Sequence, residues 1–128
     1  MKLIQQSMLI RDSAENIYTA LTSKEDLRQW WGLVNESADG ESIWYGMDRQ
    51  YDVPIVAAEP GKVLSFAFDA HHPYNEERTE PTTISITIAE QDDACVVTVV
   101  QSMFGDEEWN TLIRDGWVCS LLSLQLWV

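Results

Sequence analysis

Basic residues are scarce in this 128-residue chain: eight Lys and Arg stand against 21 Asp and Glu, a formal net charge of −13. A surface of that sign repels phosphate backbones and anionic headgroups, which argues against nucleic-acid and peripheral-membrane partners. Cysteine is scarcer still. Cys95 sits in an apolar strand and Cys119 in a helical stretch, with no CxxC pairing and no His near either. Both are expected to be buried, reduced thiols. No apolar run is long enough to span a bilayer. The start, Met1 to Gln6, turns polar too soon for a signal-peptide core, so the cytoplasm is the expected location. Motifs of local chemistry are missing too: there is no HExxH, no Gly-rich phosphate cradle and no nucleophile elbow. No catalytic residue, metal or cofactor is therefore expected. What the chain does have is a 45% hydrophobic fraction. Its length makes one ordinary domain, residues 1–128, which buries about two-thirds of its unfolded surface without a staple.

The patterning orders the elements. Residues 2–11 alternate loosely and read as a strand. Asp12 offers an N-cap with Glu15 at capping-box spacing, and Ala14, Ile17, Tyr18 and Leu21 give a short amphipathic helix. Ser23 and Asp26 repeat that logic for a second short helix, with Leu27, Trp30 and Trp31 on its apolar face and Gly32 to end it. Residues 34–59 read as strands with turns at Ala38-Asp39-Gly40 and near Asp48-Arg49. Pro54 marks an edge or a bulge, because proline cannot donate to the ladder. In Glu59-Pro60-Gly61-Lys62, Pro60 presets φ and Gly61 supplies the left-handed position of a turn.

Leu64, Phe66 and Phe68 then alternate with small or polar residues, as do Ile84, Ile86 and Ile88. Such strands belong to an antiparallel sheet with one apolar face. Between them, residues 70–81 form a polar loop with His71 and His72, which point opposite ways on an extended segment and are poorly placed to share a metal. The strand Cys95–Gln101 follows the turn Gln91-Asp92-Asp93, and its paired valines suggest burial on both faces. Trp109, Leu112, Ile113, Gly116, Trp117, Leu121, Leu124 and Trp127 or Val128 fall at helical steps. A helix over residues 107–128 is about 33 Å long, enough to cross a small sheet. A sheet with one apolar face must cover it, and this helix alone is long enough. A two-layer α+β fold follows.

At this point the residues resemble a family. Ile17 to Thr22, followed by Leu27 and Trp30-Trp31-Gly32, is similar to the opening of AHSA-type proteins, the activator of heat-shock protein 90 ATPase homologues. These belong to the START-like, or SRPBCC, superfamily. Glu59 to Phe66 resembles the family's strand-turn-strand element, Thr83 through Phe104 its last hairpin, and Gly116-Trp117 with Leu121 and Leu124 its Gly-Trp helix. Two departures stand out. Trp44-Tyr45-Gly46-Met47 occupies the place of a Gly-Gly pair, and Gln101 the place of a late His.

The resemblance implies a helix-grip fold: a curved antiparallel sheet wrapped around a long C-terminal helix, with two short helices after the first strand and a cavity between sheet and helix. Members bind apolar or lipid-like small molecules, some relatives cyclise polyketides, and one branch stimulates a chaperone ATPase.

On that fold the aromatic set Trp30, Trp31, Tyr45, Phe66, Phe68 and Trp117 is the ligand-binding candidate, since cavities for small molecules are lined by such rings. The alternative is that the rings fill the core. Parity adds Ile86, Val99 and Gln101 from the strands, and the helix adds Leu121. Gln101 is expected to point toward the cavity as its polar member, or else to be an edge residue reaching water.

Three functions remain in competition. They are non-catalytic binding of an apolar or lipid-like molecule, a polyketide cyclase-like enzyme on an aromatic substrate, and a chaperone-cofactor type interaction module. Val118, Leu122 and Leu126 lie off the core stripe of the last helix. They are covered either by the N-terminal part of the chain or by a second copy, and exposure favours the homodimer.

Overall fold

The computed structural model describes residues 2–31, 34–38, 42–45, 51–68, 82–103 and 107–128. Its elements run β1 (Lys2–Ile10), α1 (Ala14–Thr22), α2 (Lys24–Trp30), β2 (Val34–Ala38), β3 (Ser42–Tyr45), β4 (Tyr51–Glu59), β5 (Val63–Phe68), β6 (Thr82–Gln91), β7 (Ala94–Met103) and α3 (Glu107–Trp127). The strands form a seven-stranded sheet in the order β1-β7-β6-β5-β4-β3-β2. All its pairings are antiparallel. From β2 to β7 each strand pairs with its neighbour in the chain. The β1–β7 ladder alone joins distant segments, from Lys2 opposite Met103 to Ile10 opposite Cys95. With α3 packed along β1 and against α2, this is the helix-grip arrangement expected.

The face of each strand follows from its alternation. On β1, Ile4 and Ile10 are buried while Leu3 and Leu9 are exposed. Ile84, Ile86 and Ile88 of β6 and Cys95, Val97, Val99 and Gln101 of β7 are buried on the same side, together with Leu64 and Phe66 of β5. Each fully buried aliphatic side chain stabilises the fold by about 2 kcal/mol. The opposite face carries hydroxyls that pair across the ladders: Ser7 with Thr98 at 2.9 Å, and Ser65 with Ser85. Val96 and Val100 lie on that outer face and are only half-buried, so β7 is not buried on both sides as its paired valines suggest. The long helix α3 lies on the inner face and leaves them only partly covered.

Local chemistry sets the boundaries. Ser13, not Asp12, caps α1: its backbone is extended and its Oγ accepts from the Asn16 N–H at 3.1 Å. Asp12 braces the cap from one residue earlier, its Oδ1 accepting from Ser13 N–H and from the Asn16 side chain. Ser23 caps α2 through the Asp26 N–H, as expected. Gly61 has φ 76° and Lys62 N–H donates to Glu59 O at 2.9 Å. That is a turn with Pro60 and Gly61 at its centre. The β6–β7 hairpin turns in two residues, with Asp92 at φ 57°. Pro54 lies in an interior strand, between β3 and β5, rather than at an edge. Its tolerance comes from the neighbouring irregularity. The β4–β5 register shifts between Ile55 and Ala57, so Val56 is the extra residue of a bulge.

Other expectations are corrected along α3. Leu112 is 61% exposed. Counted at 3.6 residues per turn it sits about 140° round the helix from Trp117, away from the sheet. Of the two alternatives at the end, Val128 packs on the core and Trp127 is exposed. Cys119 is exposed, two residues past Trp117 on the outer side, while Cys95 is buried; both thiols are free. Val118, Leu122 and Leu126 are exposed rather than covered by the N-terminal part.

Gly32, the turns expected at Asp39-Gly40 and near Asp48-Arg49, the loop expected over 70–81 with His71 and His72, Phe104 and Gly105 lie outside the described residues. Among the described residues, no helix is long and apolar enough to cross a membrane.

Candidate functional site

The site is built where α2, α3 and the inner sheet face meet. α2 ends with Trp30 buried and Trp31 half-buried. The two indoles stack, their ring centroids 5.8 Å apart and their planes 8° from parallel. Trp31 also meets Phe66 of β5 at 6.0 Å and Trp117 of α3 at 6.0 Å, at interplanar angles of 53° and 37°. One ring thus joins a helix end, a central strand and the long helix. Offset and tilted aromatic contacts of this kind add about 1 kcal/mol each beyond burial. Ile86, Val99 and Leu121 are buried in the same cluster. The side chains of Tyr45 and Phe68 lie outside the described residues.

The indole donors of Trp30 and Trp117 are used inside the protein. Trp30 Nε1 donates to Ala20 O at 2.7 Å, tying α2 to the end of α1. Trp117 Nε1 donates to the side-chain oxygen of Gln101 at 2.5 Å, tying α3 to β7. Gln101 is 7% exposed, so it points inward rather than to water. Its oxygen is nevertheless engaged by the protein, which makes it first a tether between sheet and helix.

Asn110 is a buried polar residue the sequence reading missed. Its Oδ1 is buried with no hydrogen-bond partner among the described residues. Its position seven residues before Trp117 was the available signal, since that spacing returns to the same helix face. Cys95 lies at the far end of the inner face, 3.5 Å from Asp12 O. Desolvation by burial raises its thiol pKa, with the negative charges of Glu90 and Asp12 adding to the rise. A thiol so held is a packing group and not a nucleophile. Among the described residues, no group of three or more His, Cys, Asp and Glu could hold a metal ion.

With this geometry in view, the kinship is clear. The family model described as activator of Hsp90 ATPase homolog 1-like protein matches residues 12–126. The chain belongs to this AHSA1 family. No curated protein matches it in sequence. Among solved structures, MLL2253 from Mesorhizobium loti superposes with a TM-score of 0.83 at 18% identity, covering 98% of this chain and 96% of that one. The Aha1 dimer from Colwellia psychrerythraea is similar at a TM-score of 0.83 and 24% identity, over 98% and 94% of the two chains. DynU16, a putative protein in the dynemicin biosynthetic locus, gives a TM-score of 0.80 at 16% identity. This AHSA1 domain covers 47% of the DynU16 chain, itself matched over 99%. At these identities the likeness is one of fold.

Proposed function

We propose that this AHSA1-family chain binds, without catalysis, an apolar or lipid-like small molecule between the sheet and α3. The observation that carries the reading is Trp31. It contacts both Phe66 and Trp117 yet stays half-buried. A ring in that position offers an apolar face at the rim of a buried aromatic cluster, where a ligand can stack without unfolding the core. Phe66, Ile86, Val99, Trp117 and Leu121 form the wall behind it; Tyr45 and Phe68 remain proposed members of the same wall. The relative from a biosynthetic locus is consistent with small-molecule work. A cytoplasmic setting belongs to the same proposal.

Native mass spectrometry of the purified protein and calorimetric titration with 2-methylnaphthalene test this reading. Extra mass lost on denaturation, or saturable heat with the probe, is the expected result. Trp31→Ala is expected to weaken the probe several-fold at a temperature where the variant is folded, and also to lower the melting temperature, because it loses the contacts with Trp30, Phe66 and Trp117. A clean apo mass together with no probe binding sinks the proposal.

A second reading concerns self-association and stands on its own observation. Val118, Leu122 and Leu126 form an exposed apolar stripe on α3, with Leu126 84% exposed. A second copy of the chain is its proposed partner, and the related Aha1 structure is itself a dimer. Sedimentation of the protein over a range of concentrations checks it.

A further inference from the structure

The inner stripe of α3 is apolar except at one place. Ile113, Trp117, Leu121 and Leu124 pack on the core, and Asn110 precedes them on the same side, 6% exposed. An apolar residue at that position would complete the stripe at no cost in polar burial. Instead a carboxamide oxygen is buried there with no donor among the described residues. Native proteins keep few such groups, because each forfeits the hydrogen bond it had with water. The other buried polar groups of this interface are satisfied: Trp117 by Gln101, and Trp30 by Ala20.

Asn110 and Trp117 are two helical turns apart, about 10 Å along the axis. A fused-ring molecule lying along α3 can reach both. The chain carries a net charge of −13, and a carbonyl oxygen repels an anion as well. A cation would suit that charge, but burying one beside the apolar stripe of α3 costs more than a single carbonyl oxygen returns, so the missing complement is a neutral donor.

We propose that Asn110 is the polar anchor of the site, its Oδ1 accepting the hydroxyl or N–H of an otherwise apolar, ring-containing ligand whose body lies against Trp31 and Trp117. This rests on the small-molecule reading above and narrows its chemistry. It also moves the orienting role from Gln101, whose oxygen is occupied, to a residue whose buried oxygen has no donor among the described residues.

Three probes of matched size separate the possibilities: 2-naphthol, which donates, 2-methoxynaphthalene, which only accepts, and 2-methylnaphthalene, which does neither. Titration calorimetry of the full chain at neutral pH is expected to rank 2-naphthol about tenfold tighter than the other two. Asn110→Leu is expected to abolish that ranking while keeping affinity for 2-methylnaphthalene. Equal affinity of all three for the parent protein overturns the anchor and leaves the small-molecule reading standing; Asn110 then holds a structural water only. A preference for 2-methoxynaphthalene overturns the donor class. Binding of none of the three overturns the anchor, and together with a clean apo mass it overturns the small-molecule reading as well. If Asn110→Leu fails to fold, the parent ranking still decides, and Asn110→Ser, shorter and unable to span the same gap, is expected to narrow it.

Discussion

Gln101 and Trp117 show how one side chain can answer two questions at once. Strand parity placed Gln101 on the inner face, and it is there. Parity could not say what its carboxamide meets, because that depends on the rotation of α3 about its own axis. The helix turns Trp117 toward β7, and the indole N–H takes the oxygen. Gln101→Leu leaves a buried indole donor unpaired, so a loss of about 1–3 kcal/mol in chemical denaturation is expected. Adding Trp117→Phe to it removes the orphan, and the double variant is expected to lose less than the sum of the singles. Additive losses would show that the two side chains do not depend on each other. Asn110 escaped sequence reading for the related reason that an isolated Asn in a helix resembles a surface residue until its neighbours are placed. Cys119 escaped in the opposite sense. Its apolar surroundings in sequence suggested burial, but helical phase puts it outside.

Elements were more legible than contacts. Both short helices, the Glu59–Lys62 turn and the alternation of β5, β6 and β7 follow from spacing alone, because a period of two or 3.6 residues is a property of the chain and not of its partners. Caps were legible to within one residue: Ser13 and Asp12 both suit the position, and only backbone conformation decides between them. The hairpin joining β6 and β7 holds a strained choice. Asp92 adopts φ 57°, a region that costs a non-glycine residue roughly 1 kcal/mol. Asp92→Gly is expected to raise stability by about 0.5 kcal/mol, after allowing for the greater freedom of glycine when unfolded. Thermal or denaturant unfolding measures it, and a net loss would mean that the Asp92 side chain supports the turn. Leu112 misled because it adjoins Ile113, and of two apolar neighbours about 100° apart on a helix the sequence does not say which one the sheet takes.

At the scale of the molecule, charge and the exposed stripe belong together. From Gly116 to Val128 the chain carries no charged residue, although the whole carries −13. Two copies of so acidic a protein repel, and they meet with least cost on uncharged faces. Dimerisation through Val118, Leu122 and Leu126 is therefore expected to strengthen with salt, as screening weakens the remaining repulsion. Leu122→Asp is expected to shift sedimentation toward monomer. A parent protein that stays monomeric at high concentration and in high salt refutes the pairing. The two-layer α+β arrangement was legible because the order of elements leaves few ways to cover one apolar sheet face, whereas the helix-grip form of it came from the family resemblance. The partner of the second helix face was not, since a sequence does not say what lies beyond its own surface.

The contact of Trp31 with Trp30 and Trp117 has an optical consequence. Three indoles in succession lie within 6.0 Å centre to centre, the second pair at 37°. Transitions on rings so close and so tilted do not absorb independently; they couple into shared excited states with handed, signed bands in circular dichroism. The docking of α3 onto α2 is thereby written into the spectrum of the unlabelled protein, and any molecule that parts Trp31 from Trp117 must change its colour to polarised light.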